Sequence, residues 1–247
     1  MMIAVVVLSS LAPPPARGAD GGVSLDGHWR CAGTGIPATE RSFFTFVPRP
    51  PVKRTAREIF ASADRTERDG RPSTSFEHMI ELPDQSLQVE AVEGNGMTAP
   101  HASFPLRFTG RSFDDAAPFT LTYDLAGTSL HRVATRGDTV IDEERCTREP
   151  EPAATACPQP NVPATVVHAA EPQYPAAAYA KRAKGVVQVR VVLDDRSRVL
   201  WADVEHSDEP MFNDSARGAA RDTTYRTAIQ NCRPIPSVYI FTVDYSP

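Results

Sequence analysis

The sequence lacks any cluster of basic residues and any apolar run long enough to cross a membrane, and this includes the short apolar run near its N-terminus. A membrane helix needs roughly 20 apolar residues, so we expect the rest of the chain to be soluble. The formal charge is -5, and the 26 Lys and Arg are scattered among 31 Asp and Glu. Nucleic acid and anionic lipid are therefore not expected as partners. With 247 residues the chain has room for two domains, each with its own core.

The sequence also lacks the residue patterns of catalysis and of metal binding. Its six histidines are well separated and no cysteine belongs to a C-x-x-C pair, so no metal is expected. The segment Gly33-Thr34-Gly35 has no third glycine and no helix behind it, which indicates a turn and no cofactor. Glu143 and Glu144 are adjacent and point to opposite faces of a strand, so paired acid and base chemistry is not favoured. The acidic residues are expected to be solvated, no residue is nominated as the nucleophile of an envelope enzyme, and binding is expected instead of catalysis.

The first 18 residues have the composition of an export signal. Residues 3–8 form an unbroken apolar run, the prolines at 13–15 would end a helix, and Ala16-Arg17-Gly18 offers small residues for cleavage. No Lys or Arg precedes the apolar run, which departs from the usual signal pattern. We expect residues 1–18 to be a signal peptide and the mature chain to be periplasmic.

The four cysteines agree with an oxidising compartment, because an even number of cysteines in an exported chain usually forms disulfides. They are Cys31, Cys146, Cys157 and Cys232. Among the possible pairings, we predict Cys31 with Cys146 and Cys157 with Cys232. Each of these pairs lies on one side of the domain boundary described next.

Residues 23–148 are predicted to form an antiparallel all-β domain. Short β-type runs alternate with turn signals such as Asp69-Gly70 and Gly137-Asp138, and no helical stripe interrupts them. The first predicted strand spans residues 27–32 and the last spans residues 139–145. If Cys31 pairs with Cys146, these two strands are neighbours, and the meander closes into a barrel.

The segment Gly27-His28-Trp29 is similar to the G-x-W motif of the lipocalin family, in which the tryptophan closes one end of a barrel. The resemblance implies that a basic residue, here Arg145, lies across Trp29. It also implies an alternative function, in which the barrel carries a small apolar ligand. The residues nominated to surround that ligand are Phe44, Phe46, Met79, Phe108 and Tyr123. The alternative is that Trp29 is an ordinary core aromatic, which would imply neither the basic residue across it nor a ligand in the barrel.

A Pro-rich linker is predicted at residues 149–163, where closely spaced prolines favour extended backbone. Residues 164–247 then show the pattern of an α+β domain. The predicted elements are a helix at 176–182, strands at 185–193 and 199–206, a helix near 211–221 and a strand at 237–245. We expect two helices on one face of a three-stranded antiparallel sheet.

This C-terminal pattern resembles the C-terminal domain of the TonB family. The matching segments are Glu171-Pro172-Gln173-Tyr174-Pro175, Lys184-Gly185-Val186-Val187-Gln188-Val189 and Tyr239-Ile240-Phe241-Thr242-Val243. The resemblance implies a protein of the bacterial envelope that binds an extended peptide or another envelope protein, such as an outer-membrane receptor, with a link to transmembrane transport. A TonB energy transducer also carries a membrane anchor and a long Pro-rich rod. We recognise neither, so binding is expected in place of force transmission.

The last predicted strand has no later strand to cover it, so strand addition is the expected mode of binding. Side chains alternate between the two faces of a strand. The inward set is predicted to be Tyr239, Phe241, Val243 and Tyr245. The outward, partner-binding set is predicted to be Val238, Ile240, Thr242 and Asp244.

Overall fold

The computed structural model describes residues 24–246, except 34–38, 47–56, 68, 83, 91–96, 113–114, 152 and 154. The predicted export signal lies outside the described residues. The chain divides into two compact units, with the division between Pro152 and Ala153. The domain limits drawn from the sequence, with a linker at residues 149–163, stay a prediction.

The described residues of the N-terminal unit form a closed antiparallel barrel of ten strands. They are β1 Gly27–Gly33, β2 Thr39–Phe46, β3 Glu58–Thr66, β4 Pro72–Glu81, β5 Leu87–Glu90, β6 Met97–Ala99, β7 Leu106–Arg111, β8 Pro118–Ala126, β9 Ser129–Arg136 and β10 Thr139–Arg148. Each strand pairs with its neighbours in sequence, and β1 pairs with β10 to close the sheet. The predicted antiparallel barrel is confirmed. The short β6 was missed, because three residues show too little alternation to reveal a strand.

The number of strands separates this barrel from the lipocalin pattern. Lipocalin barrels have eight strands, whereas this barrel has ten. The lipocalin resemblance is therefore limited to the motif Gly27-His28-Trp29, and a lipocalin-like class is not confirmed.

Residues at alternate strand positions fill the barrel. The alternation is clear in β8, where Phe119, Leu121, Tyr123 and Leu125 are buried and the residues between them are not. This period of two is that of a strand with one face in a core. Side chains from all ten strands belong to one apolar cluster or to the charged network described below.

A disulfide closes the barrel where its first and last strands meet. Cys31 on β1 and Cys146 on β10 are direct partners in the strand register and are bonded to each other. Both side chains are buried in the barrel core. Just beyond β10, the Glu149 N–H donates to the His28 carbonyl at 2.8 Å. The seam is thus held by covalent and by backbone bonds.

The C-terminal unit is built around a three-stranded antiparallel sheet. Its elements are β11 Thr165–His168, α1 Ala176–Lys181, β12 Gly185–Leu193, β13 Val199–Ser207, a 3-10 turn Pro210–Phe212, α2 Asn213–Asp222, β14 Thr224–Arg226, β15 Ala228–Gln230, β16 Arg233–Ile235 and β17 Ser237–Tyr245. The strand order in the main sheet is β13, β12, β17. The structure has the expected order of helix, strand, strand, helix and strand. It adds two small sheets, β11 with β14 and β15 with β16.

Helix α2 covers one face of the sheet through small side chains. Ala216, Ala219 and Ala220 are buried and share one side of the helix, and α2 packs on β12 and β13. Ala178 of α1 belongs to the same core. Among the described residues, no helix is long and apolar enough to cross a membrane.

The second disulfide attaches the beginning of the C-terminal unit to the β15–β16 turn. It joins Cys157 to Cys232, and nearby Val162 pairs with Ile229 in an isolated bridge. The Cys232 N–H also donates to the Pro160 carbonyl at 2.9 Å. The second half of the predicted linker is therefore bound to this unit.

Candidate functional site

Strand β17 lies at an edge of the main sheet. It pairs with β12 on one side, and no described residue pairs with it on the other. The pairing with β12 has no register shift from Gly185↔Tyr245 to Leu193↔Ser237. The buried residues are Tyr239, Phe241, Val243 and Tyr245, whereas Val238, Ile240 and Thr242 are half-buried and Asp244 is exposed. The strand therefore has one buried face and one partly exposed face, divided as the alternation predicts.

The hydrogen bonds of Val186 on β12 reveal which backbone groups of β17 point outward. The Val186 N–H donates to Asp208 Oδ2 at 2.9 Å, and the Val186 carbonyl accepts from the Asp208 N–H at 3.0 Å. Both groups of Val186 thus face the β13 side. Because this direction alternates along a strand, Val187 and every second residue after it bond to β17. The β17 residues between those bonded pairs direct their N–H and carbonyl groups away from the sheet: Val238, Ile240, Thr242 and Asp244.

The opposite edge, β13, is much less regular. Its register with β12 shifts twice, and each time β13 carries the extra residue, first Leu200 and then Glu205. Bulges and charged side chains prevent other strands from adding to an edge. Glu205 and the nearby Asp203 are exposed charges. The regular edge for an incoming strand is therefore β17.

Contacts at both of its ends hold β17 in place. At its beginning, Ser237 Oγ lies 2.7 Å from Thr227 Oγ1. At its end, the Tyr245 ring stacks on Phe212 with centroids 4.1 Å apart, and its hydroxyl donates to Ser215 Oγ at 3.0 Å. Burial raises the pKa of Tyr245, although the contact with Ser215 opposes the shift, so the hydroxyl stays protonated. An edge that is ordered beforehand loses little entropy when a partner binds.

The residues nominated for an apolar ligand do not line one cavity. Met79, Phe108 and Tyr123 belong to the apolar core of the barrel. Phe44 and Phe46 lie on the other side of β2, where the Phe46 ring packs edge-on against another ring. The reason is alternation: Phe43 of β2 belongs to the barrel core, so Phe44 and Phe46 face the other side of the strand. The structure does not support the carrier hypothesis.

A network of charged side chains lies inside the barrel. Arg41 and Glu144 are each 1% exposed, and Arg41 Nε donates to Glu144 Oε2 at 2.5 Å. Arg132 Nη1 lies 3.5 Å from the same oxygen and also donates to Asp142. Glu77, likewise buried, lies 3.9 Å from Arg41 Nη1. The expectation that the acidic residues are solvated was wrong for Glu77 and Glu144, because barrel closure supplies each with arginine partners.

The pKa values follow from burial and from these neighbours. Burial opposes the ionisation of Glu144, but the charge of Arg41 and its hydrogen bond outweigh it and hold the pKa of Glu144 below its usual value. Burial and then the charge of Glu77 raise the pKa of Tyr123. The Tyr123 hydroxyl therefore stays protonated and donates to Glu77 Oε2 at 2.6 Å.

The network is closed to ligands as far as the described residues show. Arg41 Nη2, Arg132 Nε and Glu144 Oε1 have no hydrogen-bond partner there and no accessible surface. An atom with no accessible surface has no room for a water molecule beside it. In the described part of the chain, no group of three or more His, Cys, Asp or Glu could hold a metal ion.

The residue across Trp29 is Arg148, and the prediction of Arg145 was wrong. The guanidinium carbon of Arg148 lies 4.5 Å from the Trp29 ring centroid. Arg148 also donates to the backbone carbonyls of Ser24 and Asp26, which precede β1. Arg145 instead donates to Glu143 Oε1 at 2.9 Å on the surface. Because side chains alternate, Arg148 shares the inward face of Cys146 and Arg145 faces outward.

Strand addition requires an exposed sheet edge, and β17 offers a regular one. Residues 170–247 match the family model described as Gram-negative bacterial TonB protein C-terminal. The match lies within the C-terminal unit, so residues 170–247 form a C-terminal domain of the TonB type. No curated protein and no solved structure matches the chain.

Proposed function

We propose that this is an exported periplasmic protein whose TonB-type domain binds an extended segment of an envelope protein by strand addition at β17. The observation that carries the proposal is the outward direction of four N–H and carbonyl pairs along a regular edge. Unpaired groups of this kind form main-chain hydrogen bonds with an incoming strand. In this proposal the protein acts by binding and not by catalysis.

The family match and the disulfides support the envelope location. The TonB match covers the binding edge itself, which favours partners such as outer-membrane receptors and a role linked to transport. The bonds Cys31–Cys146 and Cys157–Cys232 agree with an oxidising compartment. The apolar composition of residues 1–18 agrees with export.

The substitution Thr242→Pro tests strand addition. It removes an outward N–H and leaves the hydrogen bonds between β12 and β17 in place, whereas Thr242→Ala keeps the N–H. The probes are peptides selected from a displayed random library on the wild-type chain. We expect the proline variant to bind them more weakly by about 1–3 kcal/mol, the value of an unsatisfied backbone group, and the alanine variant to bind nearly as tightly as wild type. Thermal melts establish that both variants are folded.

Amide hydrogen exchange gives a second and independent readout. Peptide binding should slow exchange at Val238, Ile240 and Thr242, whose N–H groups point outward. Exchange at Tyr239 and Phe241 should change little, because their N–H groups already bond to β12. If a folded proline variant bound as tightly as the alanine variant and no alternating protection appeared, strand addition at this edge would be abandoned.

A further inference from the structure

The sheet face that carries Val238 and Ile240 is apolar beside the first half of β17. Val192 on β12 is fully buried, and its register partners are Val238 on β17 and Trp201 on β13. Ile240 is the next β17 residue on this face, opposite Arg190. A strand added at the edge would place alternate side chains next to Val238 and Ile240. Apolar side chains of a partner fit these two positions.

The same face is polar and acidic beside the second half of β17. Thr242 is followed on this face by Asp244, which is exposed. Among the described residues, the one polar contact of the Asp244 carboxylate is Ser246 Oγ at 3.3 Å. Arg190 lies one strand farther from the edge and is paired in register with Asp203. An incoming strand therefore meets a negative charge at this end, and opposite charges across neighbouring strands attract.

We infer that the partner segment is an extended peptide with two apolar side chains at one end and a basic side chain at the other, with the basic side chain beside Asp244. This inference rests on the strand addition proposed above. If the segment is numbered from the residue beside Val238, side chains 1 and 3 are apolar and side chain 7 is Lys or Arg. The sequence runs in this order or in reverse, according to the direction of the added strand.

A second copy of this chain does not meet these requirements. The outward set of its own β17 contains one charged residue, Asp244, and no basic residue. Two such edges brought together would lack an opposite charge for either carboxylate. Charge complementarity thus favours a different protein as the partner.

Synthetic peptides of nine residues test the inference on the full chain. Each carries apolar residues at positions 1 and 3 of the seven-residue pattern and Lys, Gln or Glu at position 7, in both sequence orders. Fluorescence anisotropy should show the Lys peptide binding about three- to ten-fold more tightly than the Glu peptide at low salt, and the difference should shrink at high salt. With Asp244→Asn the preference should disappear, and with Asp244→Lys it should reverse. Asp203→Lys, a charge change away from β17, should keep the preference for Lys.

The outcomes distinguish this inference from the proposed function. If the peptides bind in a manner that Thr242→Pro weakens, but without regard to the charge at position 7, the inference is overturned and strand addition stands. If none of these peptides binds but the library-selected peptides bind in a manner that Thr242→Pro weakens, the inference is overturned and strand addition stands. If neither set binds, both fall. If light scattering shows a dimer that Thr242→Pro converts to a monomer, a second copy occupies the edge and the inference is overturned.

Discussion

Glu143 and Glu144 are adjacent and chemically identical, and the barrel gives them opposite surroundings. Glu143 lies at the surface, with Oε1 2.8 Å from Nε2 of His131. Glu144 is buried against Arg41. Surface ion pairs contribute little to stability, whereas removing one member of a buried pair leaves an uncompensated charge in a poorly polarisable interior. The same substitution should therefore have different effects at the two positions.

We expect Glu144→Gln to lower the free energy of unfolding by about 3–5 kcal/mol, because Arg41 and Arg132 lose a buried countercharge. Glu143→Gln should change it by about 0–1 kcal/mol. Urea denaturation of both variants measures the difference. Equal effects would mean that the buried network has no special role in stability.

The lowered pKa of Glu144 predicts a pH dependence. Its pKa in the folded chain lies below the reference value of 4.5, so the unfolded state binds the proton more readily. The stabilisation is therefore fully present above about pH 4.5 and is lost as the pH falls through the folded pKa. Urea midpoints between pH 6 and pH 3 should fall more steeply for wild type than for Glu144→Gln. A parallel course for the two proteins would contradict the prediction.

Arg148 and Arg145 provide a second matched pair. Arg148→Ala removes charged hydrogen bonds to backbone carbonyls and the contact with Trp29, so a loss of about 1.5–3 kcal/mol is expected. Arg145→Ala removes a surface contact and should stay within about 0.5 kcal/mol of wild type. Thermal and urea unfolding of the two variants checks this. A larger loss for Arg145→Ala than for Arg148→Ala would indicate that Arg145 lies across Trp29.

Single residues also show where sequence patterns stop being informative. Once Cys146 is taken as inward, counting by two leads to Arg148, so the position across Trp29 could have been predicted from the sequence. The charged network could not. Arg41 and Glu144 are 103 residues apart, and each on its own looks like a solvated residue. Only barrel closure brings them together.

At the scale of secondary structure elements, helix α2 packs on the sheet through alanine side chains. Ala216 and Ala220 are fully buried, so the side of the helix that faces β12 and β13 has no space for larger side chains. Gly218 lies on another side, and a Cβ atom there would meet nothing within 4 Å. A larger side chain should therefore stabilise the helix at position 218 and destabilise it at position 216.

Gly218→Ala should stabilise the C-terminal domain by about 0.5–1 kcal/mol, because alanine restricts the unfolded chain and favours the helix. Ala216→Leu should destabilise it by about 1–3 kcal/mol through overpacking. Calorimetry of the full chain would show the two changes in opposite directions. A destabilising Gly218→Ala would indicate a contact at this position that the packing does not reveal.

The elements differ in how visible they are in the sequence. The nine residues of β17 alternate strictly in burial, so the strand and its two faces could be predicted. The strands β14, β15 and β16 have three residues each, which is too short for periodicity to appear. The two bulges of β13 exist only relative to β12, and no pattern within β13 encodes them.

At the scale of the whole molecule, the two disulfides differ in accessibility. Cys31 and Cys146 are 1% and 3% exposed, whereas Cys157 and Cys232 are partly exposed. A reductant must contact a sulfur atom directly to cleave the bond. The chain therefore contains one disulfide that is open to exchange in the native state and one that is protected.

Under native conditions, dithiothreitol should reduce Cys157–Cys232 first. Mass spectrometry after alkylation should find label on Cys157 and Cys232 while Cys31 and Cys146 remain bonded. Adding urea should abolish this order by exposing the barrel core. Simultaneous reduction of both bonds without urea would show that the barrel opens readily at its seam.

The pairing of β1 with β10 also determines when the barrel can be completed. The bonded residues Cys31 and Cys146 are 115 positions apart. Because a chain is synthesised from its N-terminus, β1 is present long before its neighbour β10 has been made. Contacts between positions that are distant in the sequence form slowly. Until β10 pairs with it, the edge of β1 is unpaired, and unpaired edges promote aggregation with other chains. The newly made barrel thus passes through an interval in which its first strand needs protection. Formation of the Cys31–Cys146 bond marks the end of that interval.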